Sequence, residues 1–294
     1  MSCFFIQMRL TGQKCIMAKI VKYLIFSLFL ANYFISDICA QDVNRFDFDR
    51  VEDNSFLIEE AYNQDPGVIQ HISSFQYLKK NTWMYTFTDE WPVPGMKHQL
   101  SVTLPVLSNG STGLGDIELN YRYQAINLNR LAFSPRFSLI FPTGNYHKEL
   151  GLGGPGYQLN LPFSFLLSRK VVTHYNLGVT YIPVSKNAAG AKSGIIIYNY
   201  GLSVIIFLYT NFNFMFETVG YTTLTKENNA NTQISKVLLI NPGFRYAINC
   251  KSGLQIVPGI ATPIGIGPSA GEFNIFAYLS FEHPLWKPKP RQKP

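Results

Sequence analysis

A chain of 294 residues that is 47% hydrophobic, 15% aromatic and only 15% charged is long enough for a sizeable core. Its charge is low against the roughly 25% of soluble domains. The formal net charge is +7, and loss of residues 1–40, with four basic groups and Asp37, would leave about +4. That balance is too mild for a nucleic-acid partner, and no basic stripe is interleaved with aromatics.

Residues 1–40 read as a signal peptide. Lys19 and Lys22 precede an apolar run from Tyr23 to Ile35, and a small-residue site follows at Ala40-Gln41. Ile38 is large for its position, so a retained membrane anchor is the alternative. Met17 is a second candidate start, and Ser36-Asp37-Ile38 before Cys39 is a poor match to a lipoprotein signal. Cys3, Cys15 and Cys39 fall within this segment. Only Cys250 is left beyond it, which excludes an intramolecular disulfide in the mature chain.

Residues 41–67 are polar and lack a strand period. A short helix is expected around Phe56 to Tyr62, ended by Asp65-Pro66-Gly67. In the periplasm this segment would either dock at or inside a barrel mouth as a plug or serve as a linker.

From Gly67 onward the alternation hardly stops. About twelve strands are read, near 68–77, 82–91, 97–106, 114–125, 130–141, 156–168, 170–182, 195–209, 211–222, 234–248, 252–262 and 271–282. Ile117, Leu119, Tyr121 and Tyr123 oppose Asp116, Glu118, Asn120, Arg122 and Gln124. Tyr157, Leu159, Leu161, Phe163 and Phe165 oppose Gln158, Asn160 and Ser164. In the long hairpin over 195–222, Tyr198, Leu202, Ile206 and Phe214 share one face, and Asn199, Ser203, Asn213 and Glu217 the other. Thr210-Asn211 joins its arms.

The apolar parity is expected to face lipid. A soluble outer face usually carries many Lys and Glu, but here the polar parity is Asn, Ser, Gly, Thr and Gln, and lysines sit mostly in loops and ends. Trp83, Trp91, Phe141, Tyr157, Tyr181, Tyr209 and Phe281 near strand ends suit aromatic girdles. Short and long connections alternate along the chain, as in outer-membrane barrels. An open sheet edge cannot survive in lipid, so closure follows. The fold expected over 68–282 is therefore all-β: a transmembrane antiparallel up-and-down barrel with a polar lumen, in the outer membrane of a Gram-negative-type bacterium. A secreted soluble β-sandwich is the alternative. The last strand, ending at Phe281 with apolar residues at every second position, resembles the C-terminal signal read by the barrel-assembly machinery. A Pro/Lys-rich tail over 283–294, expected to be disordered, departs from that pattern.

Two stretches carry a family resemblance. Glu59-Glu60-Ala61-Tyr62-Asn63-Gln64-Asp65-Pro66-Gly67-Val68-Ile69-Gln70-His71 opens the barrel region. Pro142-Thr143-Gly144, followed by Leu150-Gly151-Leu152-Gly153-Gly154-Pro155-Gly156, begins a long loop. Together they resemble the MetA-pathway of phenol degradation family of outer-membrane transporters. The resemblance covers most of 58–282. It implies a barrel that passes small, aromatic or hydrophobic compounds, with no catalytic residues to carry over.

Asp116, Glu118, Arg122, Arg136, His174, Glu217 and Arg245 share the inward parity. They are candidate lumen-lining residues that either line a solute path or pair with one another and fill a narrow lumen. His174, with Asn176 two residues on, is also the weak candidate for an outer-membrane lipid hydrolase, which would need a Ser–His pair near the lipid boundary. No GxSxG occurs. His71, His98, His147, His174 and His283 show no metal-ligand spacing, and no cofactor is implied. The reading is a passive channel for small solutes, bordered by outer-membrane lipid. The alternative is a structural or interaction barrel with a filled lumen and functional surface loops.

Overall fold

The structure, a computed structural model, describes residues 54–78, 81–227 and 231–285. The signal segment 1–40 and tail residues 286–294 lie outside the described residues. Among the described residues, seventeen strand segments form one sheet. They are β1 (Val68–Tyr77), β2 (Trp83–Trp91), β3 (His98–Ser108), β4 (Thr112–Leu114), β5 (Ile117–Tyr123), β6 (Ile126–Asn127), β7 (Leu131–Phe133), β8 (Arg136–Phe141), β9 (Gly156–Ser168), β10 (Val171–Lys186), β11 (Lys192–Tyr209), β12 (Phe212–Glu227), β13 (Thr232–Tyr246), β14 (Ile248–Asn249), β15 (Gln255–Ala261), β16 (Ile264–Gly265) and β17 (Ile275–Pro284).

These segments make twelve antiparallel staves. β4, β5 and β6 form one stave. β7 with β8, β13 with β14, and β15 with β16 form three others. Several breaks fall beside proline, which cannot donate to the next strand. Ser134-Pro135 separates β7 from β8, and Thr262-Pro263 separates β15 from β16. The break at Gly115-Asp116 lies opposite Pro105, whose carbonyl accepts the Gly115 N–H at 2.8 Å. The barrel closes where β1 pairs with β17, from Val68↔Pro284 to Tyr77↔Ile275. That pairing carries the last strand through His283 and Pro284, two residues past the expected boundary at 282.

Alternation sorts the two faces. Leu119, Tyr121, Phe137, Leu159, Phe163, Leu177, Tyr198, Phe216, Phe244 and Ile260 point outward and are exposed. Such a continuous apolar exterior is far larger than a water-soluble monomer carries. Facing inward and buried are Gln70, Gln99, Glu118, Asn120, Arg122, Ser138, Gln158, Asn160, Ser164, His174, Ser203, Glu217, Asn241 and Arg245. Among the described residues, no helix is long and apolar enough to cross a membrane.

The β11–β12 hairpin turns at Thr210-Asn211, and its strands run further from that turn than alternation alone indicated, to Lys192 and Glu227. Lys226 falls at the end of β12, whereas Lys236 lies within β13. The expected helix at Phe56 to Tyr62 is absent. That stretch is irregular chain, because several of its backbone groups are bonded to side chains of the barrel wall and not to one another.

Candidate functional site: the lumen and the segment inside it

Residues 54–64 lie within the lumen. Arg245 Nη1 donates to the Asn54 carbonyl at 2.7 Å. The backbone N–H groups of Leu57 and Ile58 donate to the Glu217 carboxylate at 3.0 and 3.2 Å. The Glu59 N–H donates to Asn176 Oδ1 at 2.9 Å, and Asn176 Nδ2 donates back to the Glu59 carbonyl at 2.8 Å. Ser164 Oγ takes the Ala61 N–H at 2.7 Å, while Ser134 Oγ and Gln124 Nε2 donate to the Ala61 carbonyl at 2.6 and 3.0 Å. Arg122 reaches the carbonyls of Glu60 and Tyr62 at 3.1 and 2.7 Å. Gln99 Oε1 accepts the Gln64 N–H at 2.9 Å. A buried backbone group left without a partner costs a few kcal/mol, so an extended chain can cross a lumen only where the wall supplies donors and acceptors like these.

The segment's side chains are also accommodated. The Phe56 ring lies 5.6 Å from the rings of both Phe276 and Tyr278. It rests against Gly243 and Gly259; a Cβ on either glycine would come within 2.6 Å of the ring. Ile58 occupies the space over Gly201, where a Cβ would lie 2.2 Å from its Cδ1. Phe56 packs with Leu166, Val172, Ile205, Met215, Val257 and Phe276. Ile58 packs with Leu152, Ile182, Ile195, Ile197, Val219 and Leu239. Apolar zones therefore lie on either side of the polar residues around Glu217, and one side chain of the segment enters each.

Charges of both signs meet here. Arg136 pairs with Glu59 at 2.7 Å and donates to Asn120, Ser138 and Gln158 at 2.6–2.8 Å. The Arg136 ion pair is thus with the inserted segment and not with the wall. Arg122 Nη2 lies 4.0 Å from the Glu90 carboxylate, which also receives Gln99 Nε2 at 2.6 Å. Glu118 is buried on the inward face of β5. His174 Nδ1 lies 2.7 Å from Ser164 Oγ. That hydroxyl is already bound by the Ala61 N–H and can donate to the imidazole, so the pair anchors the segment, and the buried His174 side chain lies on the lumen side of the wall.

Asp116 lies apart from this group. Its carboxylate accepts the N–H groups of Gly144 at 2.9 Å and Leu152 at 2.7 Å, drawing the 142–155 loop across the long-loop end. A Cβ on Gly151 would lie 2.4 Å from Asp116 Oδ1, and one on Gly154 only 1.6 Å from the Val184 carbonyl oxygen. The Gly-rich loop is therefore held too close to the wall for side chains at those positions. It carries Leu150 onto Leu78, Met84 and Leu107, and Leu152 onto the Ile58 cluster.

Alternation alone missed Asn160, Ser164, Asn176, Gln99 and Ser134 as partners of the segment, and Glu59 as the segment's own ion-pairing residue. The five wall residues all have inward parity, so the signal was present. What was missing was the chain that they hold. Among the described residues, no group of three or more His, Cys, Asp or Glu is arranged to hold a metal ion.

A closed barrel with an apolar exterior and a lumen that is polar around Glu217 defines the class of protein: a transmembrane β-barrel of the outer-membrane type. The chain belongs to the family described as "Putative MetA-pathway of phenol degradation", whose model matches residues 66–257. Among solved structures it is similar to the COG4313 outer membrane channel from Pseudomonas putida F1. The TM-score is 0.59 and the identity 11%, over 76% of this chain and 97% of that one. It is also similar to the NanC porin, with TM-score 0.51 and 10% identity, over 72% and 98% of the two chains. At such identities the likeness is one of fold. No curated protein matches the chain in sequence.

Proposed function

We propose that the protein is a passive outer-membrane channel for small hydrophobic or aromatic solutes, and that residues 54–64 are its internal plug. The observation that carries this reading is the way the wall holds that segment. The bonds are many, but each joins a wall side chain to a chain that belongs to no strand, so they can be broken without opening the barrel. The apolar residues on either side of the polar ring suit a solute with little charge, whereas a path for ions would be lined by rings of one charge. In this reading Arg122, Arg136, His174, Glu217 and Arg245 hold the plug, and together with Glu118 they line the path once it moves. Asp116 controls the loop at the far mouth. Outer-membrane lipid and the barrel-assembly machinery are the expected partners, and no catalytic role is assigned.

The experiment is single-channel conductance of the refolded full chain against a variant lacking residues 41–64. Low conductance that rises on deletion supports a plugged channel. Unchanged, near-zero conductance in both would favour the second reading, a structural barrel with a filled lumen, which the dense bonding around Glu59 and Glu217 makes the serious competitor. Liposome uptake of a neutral aromatic compound against a sugar of similar size then tests the solute class.

A further inference from the structure

The five histidines are far apart in sequence, but barrel closure brings two of them together. His71 on β1 and His283 on β17 lie diagonally across the closing seam, with Nε2 atoms 3.1 Å apart and rings stacked at 5.2 Å. On the other side of His71, its Nδ1 is hydrogen-bonded to the Asp89 carboxylate, directly opposite on β2. Phe87 stacks on the His71 ring at 6.2 Å. All three polar side chains are on the outward face, a few residues from the short-turn rim. The side chains of His71 and Asp89 keep 31% and 25% of their exposure.

We propose that His71 and His283 form a binding site for a divalent first-row transition ion such as Zn2+, which would join the first and last strands of the barrel. Two imidazole nitrogens 3.1 Å apart, each about 2.0–2.1 Å from a metal, enclose an angle of roughly 100°, suited to a tetrahedral ion. Asp89 holds the Nδ1 proton of His71, which leaves the Nε2 lone pair directed at the site; this is the carboxylate–histidine arrangement that orients metal ligands. For His283 to bind through Nε2, its proton must sit on Nδ1, where the Pro284 carbonyl lies 3.5 Å away to accept it. The ring remains neutral, so binding needs only a change of tautomer. The protein supplies two ligands, because Asp89 is engaged on the far nitrogen. Solvent at the rim completes the shell.

The test is calorimetric titration of Zn2+ into the untagged, refolded full chain in detergent, with heat-modifiable gel mobility confirming that each variant is a closed barrel. One site per chain is expected. It should be lost in His71→Ala and in His283→Ala, weakened about 10- to 100-fold in Asp89→Asn, and unchanged in His98→Ala. Where alanine at 71 prevents closure, His71→Phe replaces it with an aromatic suited to that face. No binding by the wild type, or equal binding by variants at both 71 and 283, overturns the proposal.

Discussion

The backbone N–H of Leu57 donates to the carboxylate of Glu217, a residue 160 positions further along the chain. This contact carries the inserted segment to the middle of the lumen, and Asn241 Nδ2 supports the same carboxylate at 2.6 Å. Glu217→Ala should release the segment while the wall stays closed. A hydrogen bond to a charged group contributes roughly 1.5–3 kcal/mol, so cleavage after Glu59 or Glu60 by a glutamate-specific protease should accelerate about ten- to a hundredfold. Unchanged cleavage would show that the apolar side chains alone hold the segment.

Phe56 and Gly259 form a size-matched pair. A methyl group at 259 would meet the Phe56 ring at 2.6 Å, with Arg245 Cβ next at 3.3 Å. Gly259→Ala should therefore loosen the segment, and adding Phe56→Ala should relieve part of that effect. A double-mutant cycle read by protease sensitivity should give a coupling of about 0.5–3 kcal/mol; additive effects would mean that the ring does not occupy this space.

Asp116 holds the 142–155 loop through two backbone N–H groups. Asp116→Ala leaves both without an acceptor, and Asp116→Asn keeps one. Trypsin cleavage after Lys148 should rise in the order wild type, Asn, Ala. Gly154→Ala should match the Ala variant, since its Cβ would meet the Val184 carbonyl.

The outward face is tested by charge. Leu177, near the middle of β10, is 59% exposed to the exterior. Leu177→Arg should cost about 2–4 kcal/mol if this position lies at the bilayer midplane, measured by urea unfolding in lipid vesicles. Leu177→Phe should be nearly neutral. A cost below about 1 kcal/mol would place the residue at an interface.

Much of the barrel was legible because one periodicity governs it. A period of two separates Leu159 and Phe163 from Asn160 and Ser164 whatever the tertiary context. The contacts of residues 54–64 were not legible. Their bonds run to side chains on many staves, with no local pattern, and the helical reading of Phe56 to Tyr62 failed because wall side chains replaced the intrachain bonds of a helix. The Gly-rich loop was visible as a motif, but its cause, the close approach to Asp116 and Val184, appears only in three dimensions. The His71–His283 meeting was hidden for the same reason: it joins the two ends of the sheet.

The closing pair β1–β17 also constrains the order of assembly. Residues 54–64 run into β1 through only the Asp65-Gly67 turn, and their partners are spread over staves from β3 to β17. A chain bound to both walls of an open sheet acts as a template that brings distant staves together, whereas one threaded into a finished cylinder must displace whatever already fills it. The first route uses every bond described above as it forms. The inserted segment then belongs as much to the building of the cylinder as to its later use, and a chain without it should refold into a closed barrel more slowly.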